Sequence, residues 1–254
     1  MGRSLAVVLA LAGLAAAAGC GSAGGDPSPR ALLPDLDQVT PAALTLERHG
    51  GRLLLAFTSS VENAGAGPML LVGSRRAGEA TMRVRQLVRR SDGSLESRAV
   101  PGAALRFVRA KTHSHWHLEP FERYELRRLD GTAAARSRKE GFCLGDRYRA
   151  QDPPASSPAR AVWTGECGRN QPGRVTVREG ISVGYGDDYP PFLEGQSIDV
   201  TGLEPGRYVL VHLVNENHAL RESDHGDDAA SVLLELDPPR VRILERCPDR
   251  PACP

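Results

Sequence analysis

Seven short segments of the chain are continuously apolar or alternate between apolar and polar residues. Gly, Pro, Asn and Asp separate these segments, as in Asn63-Ala-Gly65 and Asp92-Gly93. Short segments of this kind between turn-forming residues are typical of β-strands. The segments are residues 53–57, 69–72, 82–88, 123–129, 198–200, 208–214 and 231–236.

The same pattern gives little indication of helix. After the first twenty residues, no segment keeps an apolar stripe at helical spacing over three turns. The sequence therefore predicts an all-β fold, an antiparallel β-sandwich with long loops and little helix. Residues 147–160, which contain Asp152-Pro-Pro154 and Ser156-Ser-Pro158, are predicted to form a long loop. Loops of this length in a compact domain are often functional.

The N-terminus has the pattern of an export signal. Arg3 supplies a positive charge, residues 5–18 are apolar, and small residues lead to Cys20. The sequence Ala17-Ala-Gly-Cys20 fits a bacterial lipoprotein signal, in which Cys20 is lipidated. Ordinary secretion and a retained anchor are the alternatives. We thus expect a signal at 1–20, a flexible tether at 21–31 and one folded domain at 32–254. The protein would be exported, as a cell-surface lipoprotein or in secreted form, with membrane contact only through a lipid anchor.

Charge and cysteine content narrow the function further. The chain has 32 Lys and Arg against 31 Asp and Glu. These charges nearly cancel, so the composition does not favour a nucleic-acid partner. Beyond Cys20, four cysteines remain, an even number that fits an oxidising compartment. Three pairings are possible, and proximity favours Cys143 with Cys167 and Cys247 with Cys253.

Residues 113–117 read His-Ser-His-Trp-His, which places three imidazoles at every second position. Alternate side chains of an extended strand point to the same face, about 7 Å apart, so a modest twist lets all three reach one ion. Imidazole ligands suit copper, zinc, iron or nickel rather than calcium or magnesium. The alternatives are a structural zinc site and a surface strand with solvated histidines.

Residues 222–228, Glu-Ser-Asp-His-Gly-Asp-Asp, contain four carboxylates. These groups repel one another unless they are solvated or neutralised, and calcium takes six to eight oxygen ligands of this type. A calcium site is therefore one interpretation of this acidic loop, and an acidic surface loop without a metal is the other.

Several segments, taken in chain order, resemble the catalytic domain of the lysyl oxidase family. Two upstream segments, residues 33–36 and 54–65, also look like the opening strands of that domain, so the resemblance extends over about residues 32–237. The co-linearity of the segments, more than any one of them, carries the resemblance. They are residues 113–117, 121–126 (Phe-Glu-Arg-Tyr-Glu-Leu), 139–144 (Lys-Glu-Gly-Phe-Cys-Leu), 180–189 (Gly-Ile-Ser-Val-Gly-Tyr-Gly-Asp-Asp-Tyr), 196–200, 205–208 and 222–228.

The resemblance implies a copper amine oxidase that converts peptidyl lysine or another primary amine to an aldehyde, with O₂ consumed and ammonia and hydrogen peroxide released. It implies His113, His115 and His117 as copper ligands. It also implies a catalytic cofactor, lysine tyrosylquinone, formed from Lys139 and Tyr189, with Tyr185 as the alternative tyrosine.

Related proteins hold calcium in the acidic loop together with an Asp-Leu pair near the start of the domain. By the same resemblance, the calcium ligands here would be Asp35, the Leu36 carbonyl, Glu222, Asp224, Asp227 and Asp228.

The reaction also needs a general base that removes a proton from the carbon next to the substrate amine. By residue type alone, Asp130, Asp187 and Asp188 are candidates. Two other functions compete with the oxidase. One is a catalytically silent, metal-stabilised β-sandwich that acts as a binding module. The other is a zinc hydrolase that uses three histidines and a water molecule. Retention of Lys139 and Tyr189 beside the histidines favours the oxidase.

Overall fold

The computed structural model describes Met1 and residues 28–109, 114–137 and 141–253. All regular secondary structure in these residues is β-strand, so the prediction of an all-β fold is confirmed. Within this part of the chain, no helix has the length and hydropathy that crossing a membrane requires. Most of the expected export signal, with Cys20, lies outside the described residues.

The chain forms strands of two to fifteen residues. In chain order they are β1 (Ala31–Leu32), β2 (Leu36–Gln38), β3 (Ala42–His49), β4 (Arg52–Asn63), β5 (Met69–Ser74), β6 (Thr81–Arg90), β7 (Leu95–Arg109), β8 (Ser114–Glu119), β9 (Glu122–Arg127), β10 (Ala133–Arg136), β11 (Tyr148–Arg149), β12 (Thr176–Ile181), β13 (Tyr185–Tyr189), β14 (Ser197–Asp199), β15 (Gly206–Val214), β16 (Ala229–Asp237) and β17 (Arg240–Cys247).

These strands form three antiparallel sheets. The first sheet has the order β12-β5-β6-β7-β8, with β1 added to β6. The second has the order β10-β9-β15-β16-β17. The third has the order β11-β13-β4-β14, and β2 and β3 also pair with the long strand β4.

All seven segments selected from the apolar pattern coincide with strands, from β4 and β5 to β15 and β16. The pattern did not reveal β7, the longest strand. Pro101 and Gly102 lie within it, Gly102 has a positive φ of 76°, and the pairing with β6 shifts between Arg83 and Arg85. A bulge of this kind breaks the alternation of side chains, and alternation is what a sequence pattern detects.

One continuous hydrophobic core connects the three sheets. Trp116 of β8, Phe57 of β4 and Leu210 of β15 all belong to it and are almost fully buried. His212 is also completely buried, with its ring 4.7 Å from the ring of Phe57 and 4.4 Å from that of Tyr124. The core therefore holds a neutral imidazole among aromatic rings, and burial lowers the pKa of His212 well below its usual value.

Two disulfides join the pairs that proximity favoured, Cys143 with Cys167 and Cys247 with Cys253. The ring closed by Cys143 and Cys167 contains the predicted long loop, whose first residues form β11 and pair with β13 of the third sheet. At the other end of the chain, the Ser91 amide donates to Arg30 O at 2.9 Å. The end of the expected tether is thus already bonded to the first sheet.

Candidate active site

The histidine segment forms β8, the edge strand of the first sheet. Because side chains alternate along a strand, His115 and His117 share one side of the sheet, and Trp116 and Leu118 occupy the other. The ring centroids of His115 and His117 are 4.6 Å apart, and His117 is buried whereas His115 is half-buried. The third expected ligand, His113, lies outside the described residues.

Trp116 fixes the opposite side of β8. Its ring is 1% exposed, meets the ring of Phe107 edge-on at 5.5 Å and lies 4.9 Å below the guanidinium of Arg75. Its indole nitrogen donates to Gln171 O at 3.2 Å. These contacts hold the strand, and hence the two imidazoles, in a fixed orientation.

The segment that follows Lys139 lies directly against β8. A side chain added at Gly141 would collide with Glu119 Cγ at 2.6 Å and approach His117 Cβ to 3.1 Å, so glycine permits this close approach. Phe142 and Leu118 exchange backbone hydrogen bonds of 3.1 and 2.8 Å. Lys139 itself lies outside the described residues, and Gly141, two positions further along the chain, lies beside the histidine strand.

Tyr189 ends β13 and is buried with its hydroxyl group in a polar network. The hydroxyl lies 2.7 Å from Cys143 O and 2.9 Å from Asp187 Oδ2, and the ring meets Phe142 edge-on at 4.5 Å. Burial, together with the Asp187 and Glu122 carboxylates, raises the pKa of Tyr189 well above its usual value. The phenol is therefore protonated and donates a hydrogen bond in this environment.

The contacts of Tyr189 also locate it relative to the histidines. Phe142 pairs with Leu118 across an antiparallel bridge, so the two side chains point to the same side. The Tyr189 ring packs on Phe142, on the side of β8 opposite to His115 and His117. The described structure thus places the expected cofactor tyrosine near the histidine strand but behind it.

Asp187 is the one candidate base that contacts Tyr189. Its carboxylate accepts a hydrogen bond from the Gly145 amide at 2.9 Å and lies 3.6 Å from Arg147 Nε. Burial raises the pKa of Asp187 to about 8, although Arg147 opposes the shift. A carboxyl group with a pKa near neutrality can exchange a proton with the adjacent phenol.

The two other candidate bases have ordinary structural roles. Asp130 is exposed and accepts hydrogen bonds from the Thr132 amide and hydroxyl, which lower its pKa. Asp188 lies between Asp187 and Tyr189 on the strand, so its side chain points to the other side. Neither makes a hydrogen bond to Tyr189 in the described part of the chain.

Two buried glutamates near Tyr189 were not predicted from the sequence. Glu122 accepts hydrogen bonds from Ser59 Oγ at 2.7 Å and from the Tyr124 hydroxyl. Glu179 is completely buried, accepts one from the Leu144 amide at 3.3 Å, and has a pKa raised well above its usual value by burial. Both lie within strands, where a single acidic residue usually indicates a solvent-facing position, so their burial could not be predicted from the sequence pattern.

Tyr185, the alternative tyrosine, packs against the long loop. Its hydroxyl donates to Pro158 O at 3.2 Å, and the guanidinium of Arg149 lies 5.6 Å from the centre of its ring. Through these contacts, Tyr185 holds the 147–160 loop to β13.

The acidic loop meets the start of the domain, as expected for a calcium site. The Asp224 amide donates to Asp35 Oδ1 at 2.8 Å, and the Leu36 amide donates to Glu222 Oε2 at 2.8 Å. Burial and the neighbouring carboxylates raise the pKa of Glu222 to about 8 and that of Asp228 to about 7. A bound cation would relieve the repulsion between these carboxylates.

Two histidines, one in this loop and one shortly before it, were not identified as possible ligands from the sequence. His218 and His225 stack with parallel rings 4.0 Å apart, and His225 Nδ1 lies 2.8 Å from Asp228 Oδ2. Ligand atoms of His218, His225 and Asp228 lie within 4.8 Å of one another. The histidines are seven positions apart along the chain, and only the local fold brings them together.

A family model and the sequences of known proteins both match this chain to lysyl oxidases. The family model described as lysyl oxidase matches residues 82–247, more than half of the chain. Similar proteins include lysyl oxidase homolog 2A of Danio rerio, 32% identical over 130 residues, which are 51% of this chain and 16% of that protein. They also include lysyl oxidase homolog 3 of Homo sapiens, 30% identical over 132 residues, 52% of this chain and 16% of that protein.

The matched region is thus about a sixth of the length of each of these two relatives. The family model, in contrast, covers β6 to β17, and within it lie the histidine strand, Tyr189 and the acidic loop. The chain belongs to the lysyl oxidase family.

Proposed function

We propose that this protein is a copper-dependent amine oxidase of the lysyl oxidase type, which acts on the CH–NH₂ group of peptidyl lysine or another primary amine. His113, His115 and His117 would hold copper, and Lys139 and Tyr189 would form the quinone cofactor. The observation that carries the proposal is the segment 141–143, which contacts His117 at one end and the Tyr189 hydroxyl at the other.

The donor set fits the metal. Two imidazoles lie side by side on one strand, and His113, two positions before them, would supply a third, which gives the nitrogen ligands that copper accepts. When bound, copper would supply the redox chemistry with O₂ that converts a phenol to a quinone and later reoxidises the cofactor.

The residues of the chain would orient and deprotonate the phenol. Cys143 O and Asp187 hold the Tyr189 hydroxyl, and Asp187, once ionised, accepts its proton. Phe142 keeps water away from the ring on one side.

We also propose that the protein is exported, with a signal at residues 1–20, a tether at 21–31 and a catalytic domain at 32–254, either anchored through Cys20 or secreted. Two disulfides support an oxidising compartment. Calcium at the acidic loop would be structural, since the loop joins β15 to β16 and binds the start of the domain.

Peptide mapping after copper loading in air tests the proposal. Lys111 and Lys139 are the two lysines of the chain, so a cross-link between Lys139 and Tyr189 can be assigned unambiguously. We expect this cross-linked peptide, a visible quinone absorbance and peroxide release with a simple primary amine. His115→Ala should lose copper uptake and all three signals, and zinc loading should give none of them.

Matched variants make the assignment specific. Tyr189→Phe and Lys139→Arg should abolish the cross-link, whereas Tyr185→Phe and Lys111→Arg should leave it intact. Unmodified peptides containing Lys139 and Tyr189 after full copper loading would support the silent binding module instead. Peroxide release that persists in His115→Ala would refute the ligand assignment.

A further inference from the structure

Apart from Arg89 near the end of β6, four exposed arginines lie on the outer side of the first sheet. They lie in three different strands at positions whose neighbours along each strand, such as Val84 and Leu105, are buried in the core. Because side chains alternate, the arginines point away from the core. We call this surface the arginine face; it consists of Arg83, Arg85, Arg106 and Arg178.

Strand register places the arginine face on the same side of the sheet as the histidines. Arg106 of β7 pairs with His117 of β8, and residues paired across antiparallel strands point to the same side. Arg85 of β6 and Arg178 of β12 both pair with Val72 of β5, so they form one row. The surface is thus continuous from His117 across the sheet to β12.

Among the described residues, carboxylates balance the positive charge of this surface only at its histidine end. Arg106 forms an ion pair with Glu119 at 2.9 Å, and Arg85 donates to Ser97 Oγ at 2.7 Å. No ion pair within the described parts of the chain involves Arg83, Arg85 or Arg178. The chain as a whole has a net charge of only +1, so this excess of positive charge is local. Neighbouring positive charges repel, and a partner with carboxylates would relieve that repulsion.

The far edge of the face opens into a cavity of about 750 Å³. Arg178 and Thr176 of β12 line it together with Arg169 and Arg174 of the preceding loop. Arg169 is paired with Glu166, which leaves the cavity with a surplus of positive charge. The positive surface therefore continues beyond the sheet rather than ending at β12.

We propose that the arginine face binds an acidic segment of the protein substrate, so that the enzyme selects lysines flanked by Asp or Glu. This inference rests on the proposed oxidase function at His115 and His117. Adjacent strands are about 4.8 Å apart, so Arg83 and Arg85 lie about 10 Å from β8, and Arg178 lies about 19 Å along the sheet. An extended peptide advances about 3.3 Å per residue. Carboxylates about three and six residues from the lysine would reach these arginines.

The test compares two peptides of thirteen residues with a central lysine, using the copper-loaded, aerated full chain. One has Glu three and six residues from the lysine on both sides, and the other has Gln at those positions. We expect the Glu peptide to have a KM about tenfold lower at low salt with kcat unchanged, and the difference to shrink as salt is added. The triple variant Arg83→Gln, Arg85→Gln and Arg178→Gln should lose the difference.

The control variant removes three exposed arginines elsewhere, with Arg48→Gln, Arg207→Gln and Arg250→Gln, and should retain the preference. Butylamine oxidation should be unchanged in both variants. Absence of butylamine oxidation in the unmodified chain would count against the oxidase function. Binding of a labelled Glu peptide with norleucine in place of lysine, measured by fluorescence anisotropy, would still test the surface. Equal KM for the two peptides, or an acidic preference that survives the triple variant, would overturn the proposal.

Discussion

The histidine strand β8 and the acidic loop at residues 222–228 are two candidate metal sites that the fold builds in different ways. In β8, one rigid strand presents His115 and His117 side by side, and buried aromatic rings hold the strand from behind. In the loop, carboxylates from both ends of the domain are brought close together. Asp227 Oδ1 and Asp228 Oδ1 are buried with no hydrogen-bond partner among the described residues.

The difference shows which site depends on its ion for structure. Neutral imidazoles on a strand repel one another little, so β8 can keep its geometry in the absence of metal. Several carboxylates in partial burial raise one another's pKa, as at Glu222 and Asp228, and gain stability when a cation is bound. We therefore expect copper removal to affect chemistry and calcium removal to affect stability.

The largest effect is expected at Asp187, behind the histidine strand. Asp187→Asn keeps a hydrogen-bond acceptor for Gly145 and Tyr189 but removes the base, so quinone formation should slow by about 100-fold. In the unmodified protein, the rate should rise with pH through about 8 and level off above it, because ionisation of Asp187 provides the base. Time courses of the quinone absorbance between pH 6 and 9 measure both effects.

Asp188→Asn is the matched control for that experiment, since Asp188 is the neighbouring residue and points to the other side of β13. It should form the quinone at the unmodified rate with the same pH profile. A rate in Asp187→Asn equal to that of the unmodified protein would exclude Asp187 as the proton acceptor.

The second prediction concerns the acidic loop. Saturating calcium should raise the Tm by about 5–10 °C relative to chelator, because binding at a hundred times Kd contributes about 2.7 kcal/mol. Asp224→Asn should reduce this shift, and copper uptake at β8 should stay unchanged. Differential scanning calorimetry with and without calcium measures the shift. An identical Tm under both conditions would favour the alternative of an acidic loop without a metal.

The smallest effect is expected at His212, a histidine of the core with no ligand role. Its folded-state pKa lies well below 6.5, so below pH 6.5 the unfolded chain binds a proton that the folded chain does not. Stability should therefore fall as the pH drops, by about 2 kcal/mol at pH 5 for this residue alone. In His212→Phe, which keeps a ring against Phe57 and Tyr124, that loss should disappear.

Urea unfolding at pH 5 and pH 8 measures the difference between the two proteins. His49→Gln, at an exposed position of β3, is the control and should leave the pH dependence unchanged. If His212→Phe loses as much stability on acidification as the unmodified protein, His212 does not contribute to the acid sensitivity.

Much of the fold could be predicted from the sequence because strand alternation is a local property. The spacing of His115 and His117 indicated that they share one face, and the structure has them on one side of β8. The disulfides followed from proximity in the chain, since short loops close readily. The bulge in β7, in contrast, hid the longest strand from the pattern.

The sequence by itself determined the all-β class, the histidine pattern and, through the order of its segments, the family. Tertiary structure alone decided that Asp187 contacts the Tyr189 hydroxyl, that Tyr189 lies behind β8, that Glu122 and Glu179 are buried, and that arginines from three strands share a face with His117. The physical reason is that alternation and turn chemistry act between near neighbours in the chain, whereas burial and electrostatic environment depend on register between strands far apart in sequence.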